Sequence, residues 1–592
     1  MSEELRSPAS DERFQRRDIC ILAGYCLLLF GFSLVSGRPL SVHESVLPQS
    51  AREMLADGDW VVPKKGGTPW LESPPLPQWM TVSVASVFGR CDAEWIVRLV
   101  PTLIATGVVF CVAWMACVWY GRQIGLLSGL VMATTCQFTR YSWLAEDEIY
   151  LCGAVTCAVA VFVKLEFCTS PTEREPWSFF GRRSRWTLLL FVALGITNLV
   201  KGLLFGTIMS LVPIALFLIW NRDWNRIRRY TWFWGWLTFA AVAMAWPLAA
   251  YLRYPDVTAV WFYDLGGRLD GSYVALSEPL WYYPLNLLWM LLPWTVVIPT
   301  GLWLTRHAAW KTRFSKERFL WCWAIGVPLM FSIPSGKHHH YLLHALAPWA
   351  VIATLGMLRI RAVVLSWAPR FRRPANSIIT TALPLMLIAW LCSDRLSNPE
   401  WLLPFLLLLI PTATFVLSWS MFHSNPRLAA RTLFGVLAIF YMTGHWIAGQ
   451  YVDRHRQDVA FLKQVRAGVP KTTRILVDMN LEPLTGFLNL FYLDSESLPL
   501  HNVSFAVDNR IPQRQVFVLT RSSKRALLES LGDVRLMSQS QRTDRNDTLL
   551  ADRLSLYQLT FGDKVSKRSS AGVRISPMQA MHRDQGPYLR RL

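Results

Sequence analysis

The run ICILAGYCLLLFGFSLV, residues 19–35, passes almost directly into LSVHESVLPQSAREMLADGDW, residues 40–60. The first stretch is apolar and close to the length of a membrane-spanning helix, so it predicts a span over 19–36. The segment before it, MSEELRSPASDERFQRRD, is too long and too charged for the start of a secretion signal. No small-residue cleavage site follows, so the span is expected to be retained, with residues 1–18 in the cytoplasm. The second stretch sets an ionisable pair, His43 and Glu44, where the chain leaves the membrane, and then a short amphipathic helix. Ser50 and Glu53 have the spacing of a capping box, and Gly58 is a natural helix stop. Met54 and Leu55 give this helix an apolar face suited to lying along the membrane interface.

Working outward, the rest of the chain is of the same kind. Of its 592 residues 53% are hydrophobic and 17% are charged, where soluble proteins carry about a quarter charged. Apolar segments near 19–36, 95–119, 124–140, 149–167, 187–200, 202–220, 231–251, 284–304, 319–333, 341–358, 377–392, 401–421 and 432–449 predict about thirteen spans. The loops between them alternate. One set, including NRDWNRIRRY, RHAAWKTRFSKER and RIRAVVLSWAPRFRR, is rich in Arg and Lys. The other set, including SWLAEDE, SGKHHH and SDRLSNPE, carries the acids, glycines and prolines. This is the positive-inside pattern. It accounts for the net charge of +20 without nucleic acid. It also puts a long first loop, 37–94, on the outer face of the membrane. The 11 cysteines include no CxxC pair, which argues against a disulfide framework or a cysteine metal site.

The pattern changes after residue 450. RILVD, QVFVLT, DVRLM and LSLYQLT read as strands; EPLTGFLNLFYL and SSKRALLESLG read as helices between them. The fold class expected is therefore an all-α polytopic membrane protein, 19–450, with a small extracytoplasmic α/β domain over 451–562. Residues 563–592 form a basic tail with little apolar periodicity. Asn502 and Asn546 head glycosylation-type tripeptides, which arise often by chance.

The suggestive polar groups all fall in the predicted outer loops. WLESPPLPQW follows Glu72 with prolines that predict an extended path. Glu146 and Asp147 read as a solvated turn, whereas Glu148, deepest in the row, enters the next span and is costly there unless paired or used. Lys201 sits in the short hairpin NLVKGLLF, either snorkelling or meeting an anion. SGKHHHYLLHALAPW gathers Lys337, His338, His339, His340, Tyr341 and His344. Three consecutive histidines suggest metal, but adjacent side chains diverge, and the neighbouring lysine fits a phosphate better. Transfer of a group from a lipid-borne phosphate needs this collection: cations for the leaving phosphate and a carboxylate or histidine to take the acceptor's proton.

In these residues the sequence resembles the integral-membrane GT-C glycosyltransferases that use polyprenyl-phosphate sugars, the aminoarabinose transferases and protein-mannosyltransferase-like proteins. The resemblance runs in order over about 38–350, through HESVLPQSAREMLADGDWVVP, ESPPLPQW, RLVP, LAEDEI, VKG, PLWYYPLNLLWMLLPW and GKHHHYLLHALAPW. It implies a membrane sugar transferase with a polyprenyl-phosphate monosaccharide as donor and a lipid, glycan or protein as acceptor, among membrane lipids. It implies Glu44 as the main catalytic acid with His43 beside it, and Glu148 orienting the reactants. It implies Lys201, Arg268, Lys337, Tyr341 and His338 on the donor phosphate. Glu72 matches a family acid that helps hold a divalent metal ion, which makes it a candidate metal ligand. The departures are chemical. The family's first loop aspartate is His43, the lysine after the second acid is Ser73, and the family's metal-binding histidine is replaced by Leu265, with Asp264 and His43 as candidate substitutes. Lipid A and aminoarabinose are therefore not carried over as substrates. A lipid-sugar flippase and an oligosaccharide ligase or polymerase on the same scaffold remain as alternatives.

Overall fold

A computed structural model describes residues 14–169, 179–181, 184–202, 205–270, 278–366, 425–455, 458–470, 475–479, 485–493, 498–500, 515–540 and 553–561. The predicted spans at 377–392 and 401–421, Asn502, Asn546 and the tail from 563 lie outside them.

The chain opens with α1 (Arg16–Leu29) and the short α2 (Phe32–Val35), which together make the first apolar span. The first loop then folds into α3 (Val46–Asp57), a hairpin of β1 (Lys64–Lys65) and β2 (Thr68–Pro69), and α4 (Leu76–Phe88). Two local expectations change here. Helix α3 starts at Val46, so Ser50 lies inside it rather than at its cap, while Gly58 ends it in the left-handed conformation as expected. The ESPPLPQW segment turns helical at Leu76, because Pro77 falls in the first turn, where a missing N–H costs nothing.

The core is a bundle of α5 (Glu94–Tyr120), α6 (Arg122–Ala133), α7 (Cys136–Ser142), α8 (Asp147–Phe167), α9 (Arg185–Val200) and α10 (Phe205–Asn221). After α11 (Trp224–Arg229) come α12 (Phe233–Arg253), α13 (Val257–Asp270), α14 (Tyr282–Met290), α15 (Ile298–Lys311), α16 (Lys316–Ala324) and α17 (Gly326–Ser332). The span His339–Ser366, α18, begins as a 3-10 turn; α19 is Pro426–His455.

Six helices among the described residues are long and apolar enough to cross a membrane, or seven if the pair α14 and Trp294–Lys311, bent by 110°, counts as one span. The expected thirteen is not reached by that measure. Several predicted spans are instead broken helices: 124–140 divides between α6 and α7, and 319–333 between α16 and α17. Hydropathy sums over a window and is blind to such breaks.

The bundle has two chemically distinct ends. At one, Asp18 pairs with Arg122, Glu166 accepts from Arg226 at 3.0 Å and from Tyr230 at 2.7 Å, and Glu317 accepts from Tyr120 at 3.0 Å. These are the loops read as basic. The outer-loop acids and histidines gather at the other end.

Helices α15 and α18 cross through glycines. A Cβ on Gly301 would run into the Ile352 carbonyl, and one on Gly356 into the Val297 carbonyl. Small residues let backbones approach where no hydrophobic effect drives helix association. Gly356→Leu should therefore lower stability by more than about 2 kcal/mol; an unchanged melting temperature in detergent would refute the crossing.

Beyond α19 lies a five-stranded sheet of order β4-β3-β5-β7-β6, built from β3 (Ile475–Asp478), β4 (Leu498–Leu500), β5 (Gln515–Arg521), β6 (Gly532–Gln539) and β7 (Leu554–Phe561). Strand β3 is parallel to β4 and β5, and β7 runs antiparallel between β5 and β6. Alternation sends Ile475 and Val477 to one face, against Leu462, Val465 and Leu490, and Leu476 to the other, against Val518, Leu528 and Tyr557. The four strands expected from the sequence are present; β4, three residues long, is additional.

This unit grips the first loop. Arg52 of α3 donates to the Phe491 carbonyl at 3.0 Å. The Tyr492 hydroxyl accepts from the Leu40 amide at 2.8 Å and donates to Glu94 at 3.1 Å. From the other side, the indole N–H groups of Trp246 on α12 and Trp261 on α13 donate to the carbonyls of Val61 and Leu71 at 2.7 Å each, and within the loop Trp79 of α4 donates to the Trp60 carbonyl at 2.7 Å. The first loop is thus held from both sides.

Candidate active site

Glu44 is 0% exposed. Its carboxylate accepts from Arg98 Nε at 2.9 Å and Nη2 at 3.1 Å, Arg38 Nη2 at 3.2 Å and the Ser41 amide at 2.9 Å. The Ala145 amide adds a longer contact at 3.4 Å. Arg98, equally buried, gives its other protons to the carbonyls of Arg38 and Pro39. Burial disfavours charge on Glu44, but Arg98 and Arg38 outweigh it and hold the carboxyl at about 2. An anion so fully committed has no lone pair to offer an acceptor hydroxyl. The role of main catalytic acid expected of Glu44 does not fit this setting; it clasps the start of the first loop to α5 and to the residue before the acid row.

His43, its neighbour, faces the other way. Its imidazole is exposed and makes no hydrogen bond among the described residues. Surrounding protein pushes it below the ordinary histidine value; Glu148 opposes this, and Lys65 and Arg140 add to it. It is therefore neutral near pH 7 and able to take a proton.

The acid row follows Ala145. Glu146, at the N-cap of α8, is half-buried rather than solvated, and burial together with Glu148 and Glu44 raises its carboxyl well above the usual range, against Arg140. Asp147 is half-buried too, with a buried Oδ1 that has no hydrogen-bond partner among the described residues. Glu148 accepts from Lys201 Nζ at 2.9 Å, and His340 Nε2 lies 3.5 Å from the same oxygen. Lys201 Nζ also sits 5.5 Å from the centre of the Tyr341 ring. Tyr341 packs edge-on against His338 and His340, whose rings stack on each other 5.0 Å apart. Gly202 is pressed against Pro74, which brings the Lys201 turn beside Glu72.

The fold thus brings together His43, Glu72, Glu148, Lys201, His338 and Tyr341. It does not bring Lys337 with them: that side chain is 2% exposed and donates to the Glu278 carbonyl at 2.6 Å, so its place on the phosphate does not fit. Arg268 belongs to α13, and its side chain lies outside the described residues, as does that of Asp264. Two cations at the site had no role in the sequence reading, Arg140 and Lys65. The available signal was a basic residue in an otherwise acidic outer loop.

Of the candidate metal ligands, Glu72 and His43 are described, and the side chain of Asp264 lies outside the described residues. Among the described residues no three His, Cys, Asp or Glu side chains form a metal-binding group, and a cation beside Glu72 is already supplied by Lys65.

Known proteins are similar to this chain in sequence and in fold. The sequence model of the dolichyl-phosphate-mannose-protein mannosyltransferase family matches residues 48–260. The crystal structure of ArnT from Cupriavidus metallidurans bound to undecaprenyl phosphate superposes with a TM-score of 0.70 at 17% identity, covering 94% of this chain and 99% of that one. The chain shares the ArnT fold. Among curated relatives, an undecaprenyl phosphate-alpha-4-amino-4-deoxy-L-arabinose arabinosyl transferase of Proteus mirabilis is 25% identical over 56% of this chain. The match spans 58% of that relative's length. The enzyme of the same name from Pseudomonas aeruginosa strain PAO1 is 27% identical over 65% of this chain and 67% of its own.

Proposed function

We propose that this chain transfers a monosaccharide from a polyprenyl-phosphate donor to a lipid, glycan or protein acceptor at the outer face of a bacterial inner membrane. One observation carries the reading. A lysine, Lys201, is held over Tyr341 by Glu148, which also acts on the neutral His43, at the end of the bundle opposite the basic loops. The ArnT fold and the transferase relatives support it, and the basic loops support the outward assignment of the site. The five-stranded sheet unit would lie on the same outer side.

In the step proposed, the acceptor oxygen attacks the anomeric carbon and the bond from that carbon to the phosphate oxygen breaks. The electron pair leaves with polyprenyl phosphate, and the anomeric centre inverts. His43 takes the acceptor's proton, the task expected of Glu44 from sequence. Lys201 meets the charge growing on the leaving phosphate, with the Tyr341 hydroxyl and His338 beside it; Glu148 fixes the position of Lys201 and His340. Glu44 acts at one remove by holding His43 and the acid row in place. No step is routed through a metal.

Purified protein in liposomes, given radiolabelled polyprenyl-phosphate sugar and lipid, glycan or peptide acceptors, should release free polyprenyl phosphate and label one acceptor class. A donor that crosses the bilayer whole would make the chain a flippase instead. Glu148→Gln should leave the fold intact and lower kcat about a hundredfold, because Lys201 loses the anion that aims it. A kcat within threefold of wild type would remove Glu148 from the mechanism.

A further inference from the structure

Two adjacent lysines on one short strand meet opposite fates. Lys64 and Lys65 form β1, so their side chains leave on opposite faces. Lys64 turns outward and pairs with Asp57 at 2.5 Å, which raises its affinity for a proton. Lys65 turns inward. Its ammonium lies 3.0 Å from the centre of the Trp70 ring and makes no hydrogen bond or ion pair among the described residues. The charged groups that face it are Glu72 on the segment after the hairpin, Asp147 at the head of α8, and His43. Burial outweighs the two carboxylates and brings Lys65 down to about 8.

Its position is fixed from outside. The turn residues Gly66 and Gly67 both have positive φ, and their amides donate to Glu53 at 3.0 and 2.9 Å. Met479 of the sheet unit covers Gly66 so closely that a Cβ there would lie 2.7 Å from its Cε. An aromatic face attracts an ammonium but accepts none of its hydrogen bonds in the way an oxygen does. The protein has therefore positioned a cation, clamped it from both sides and left its three donors to be satisfied by something else.

We propose that Lys65 binds the phosphate of the lipid-linked donor, with Trp70 aiming its ammonium. This rests on the transferase reading above and adds a residue to it. The phosphate oxygens supply the acceptors that the surrounding side chains do not, and Asp147, on which both Lys65 and Lys201 act, marks the two lysines as parts of one site.

The test is equilibrium binding of radiolabelled polyprenyl phosphate to the full chain in nanodiscs, for wild type, Lys65→Met and Lys65→Arg, between pH 6.5 and 9. Lys65→Met should weaken binding tenfold to a hundredfold, Lys65→Arg less than threefold. Wild-type affinity should fall as pH rises through about 8, and that fall should vanish in both variants, since arginine keeps its charge. Lys65→Met that binds as wild type does, with the same pH curve, overturns the proposal alone. Wild type that binds no polyprenyl phosphate overturns the transferase reading and this with it. Inorganic phosphate that loses its binding in Lys65→Met while the lipid does not would assign the lysine to a free anion and overturn the proposal as well.

Discussion

His43→Ala is expected to abolish nearly all transfer, by about 10²–10⁴-fold in kcat, the range a positioned general base contributes. Donor binding should change little, since the residue acts on the acceptor's proton. The physical case is the contrast between neighbours. Glu44 has spent its lone pairs on two arginines and two amides, whereas His43 points outward, unbonded and neutral. The pH profile carries the same argument. A neutral imidazole is required, so the rate should fall as pH drops below the ordinary histidine value of about 6.5. His43 is held below that value, so the acid limb lies on its lower side. On the alkaline side Lys65 loses its charge as pH rises through about 8, and donor binding falls with it. The result is a bell with a plateau between. A His43→Ala variant with more than a tenth of wild-type kcat, or one that keeps the wild-type acid limb, would return the base to another residue.

The largest effect on stability is expected at the clasp. Glu44→Gln leaves Arg98 buried with its charge uncompensated, and breaking one partner of such a pair costs about 3–5 kcal/mol. Loss of activity in that variant should therefore follow loss of the fold, visible as a lower melting temperature and faster proteolysis within the first loop. Glu44→Leu combined with Arg98→Met removes both charges and should recover much of the stability lost by either change alone. Its activity tells structure from chemistry: a stable double variant that still transfers sugar confirms the positioning role, and a stable but dead one returns Glu44 to the reacting centre. The linkage has a definite sign. Glu44 titrates at about 2 in the folded chain against an ordinary 4.5, so its contribution is complete above pH 4.5 and is lost as pH falls from there toward 2.

Much of the site could be read in the sequence because each piece carried a local signal. Gly58 ends α3 as its position predicts. Glu148 at the head of a span was too costly to be idle, and it is the partner of Lys201. The histidine run was read as serving phosphate rather than metal; in the structure the rings of His338 and His340 stack beside Tyr341, with Lys201 over the same ring. Glu146 and Asp147 were misread as a solvated turn, because adjacent acids look alike in sequence, and only packing separates a buried carboxyl from a wet one. Lys65 went unnoticed because nothing in VPKKGG says which of two adjacent lysines faces inward; that follows from the register of β1 on β2, Lys65 opposite Thr68.

The sequence by itself determined that this is a membrane protein of alternating loop charge with its polar chemistry at one end, because hydropathy, helix stops and loop charge are written over short distances. Only the tertiary structure shows which ionisable groups are committed to partners, as Glu44 is, and which stand exposed, as His43 does. Glu44 and Arg98 are 54 residues apart in the chain, and a buried carboxylate becomes a clasp or a base according to what long-range packing sets against it.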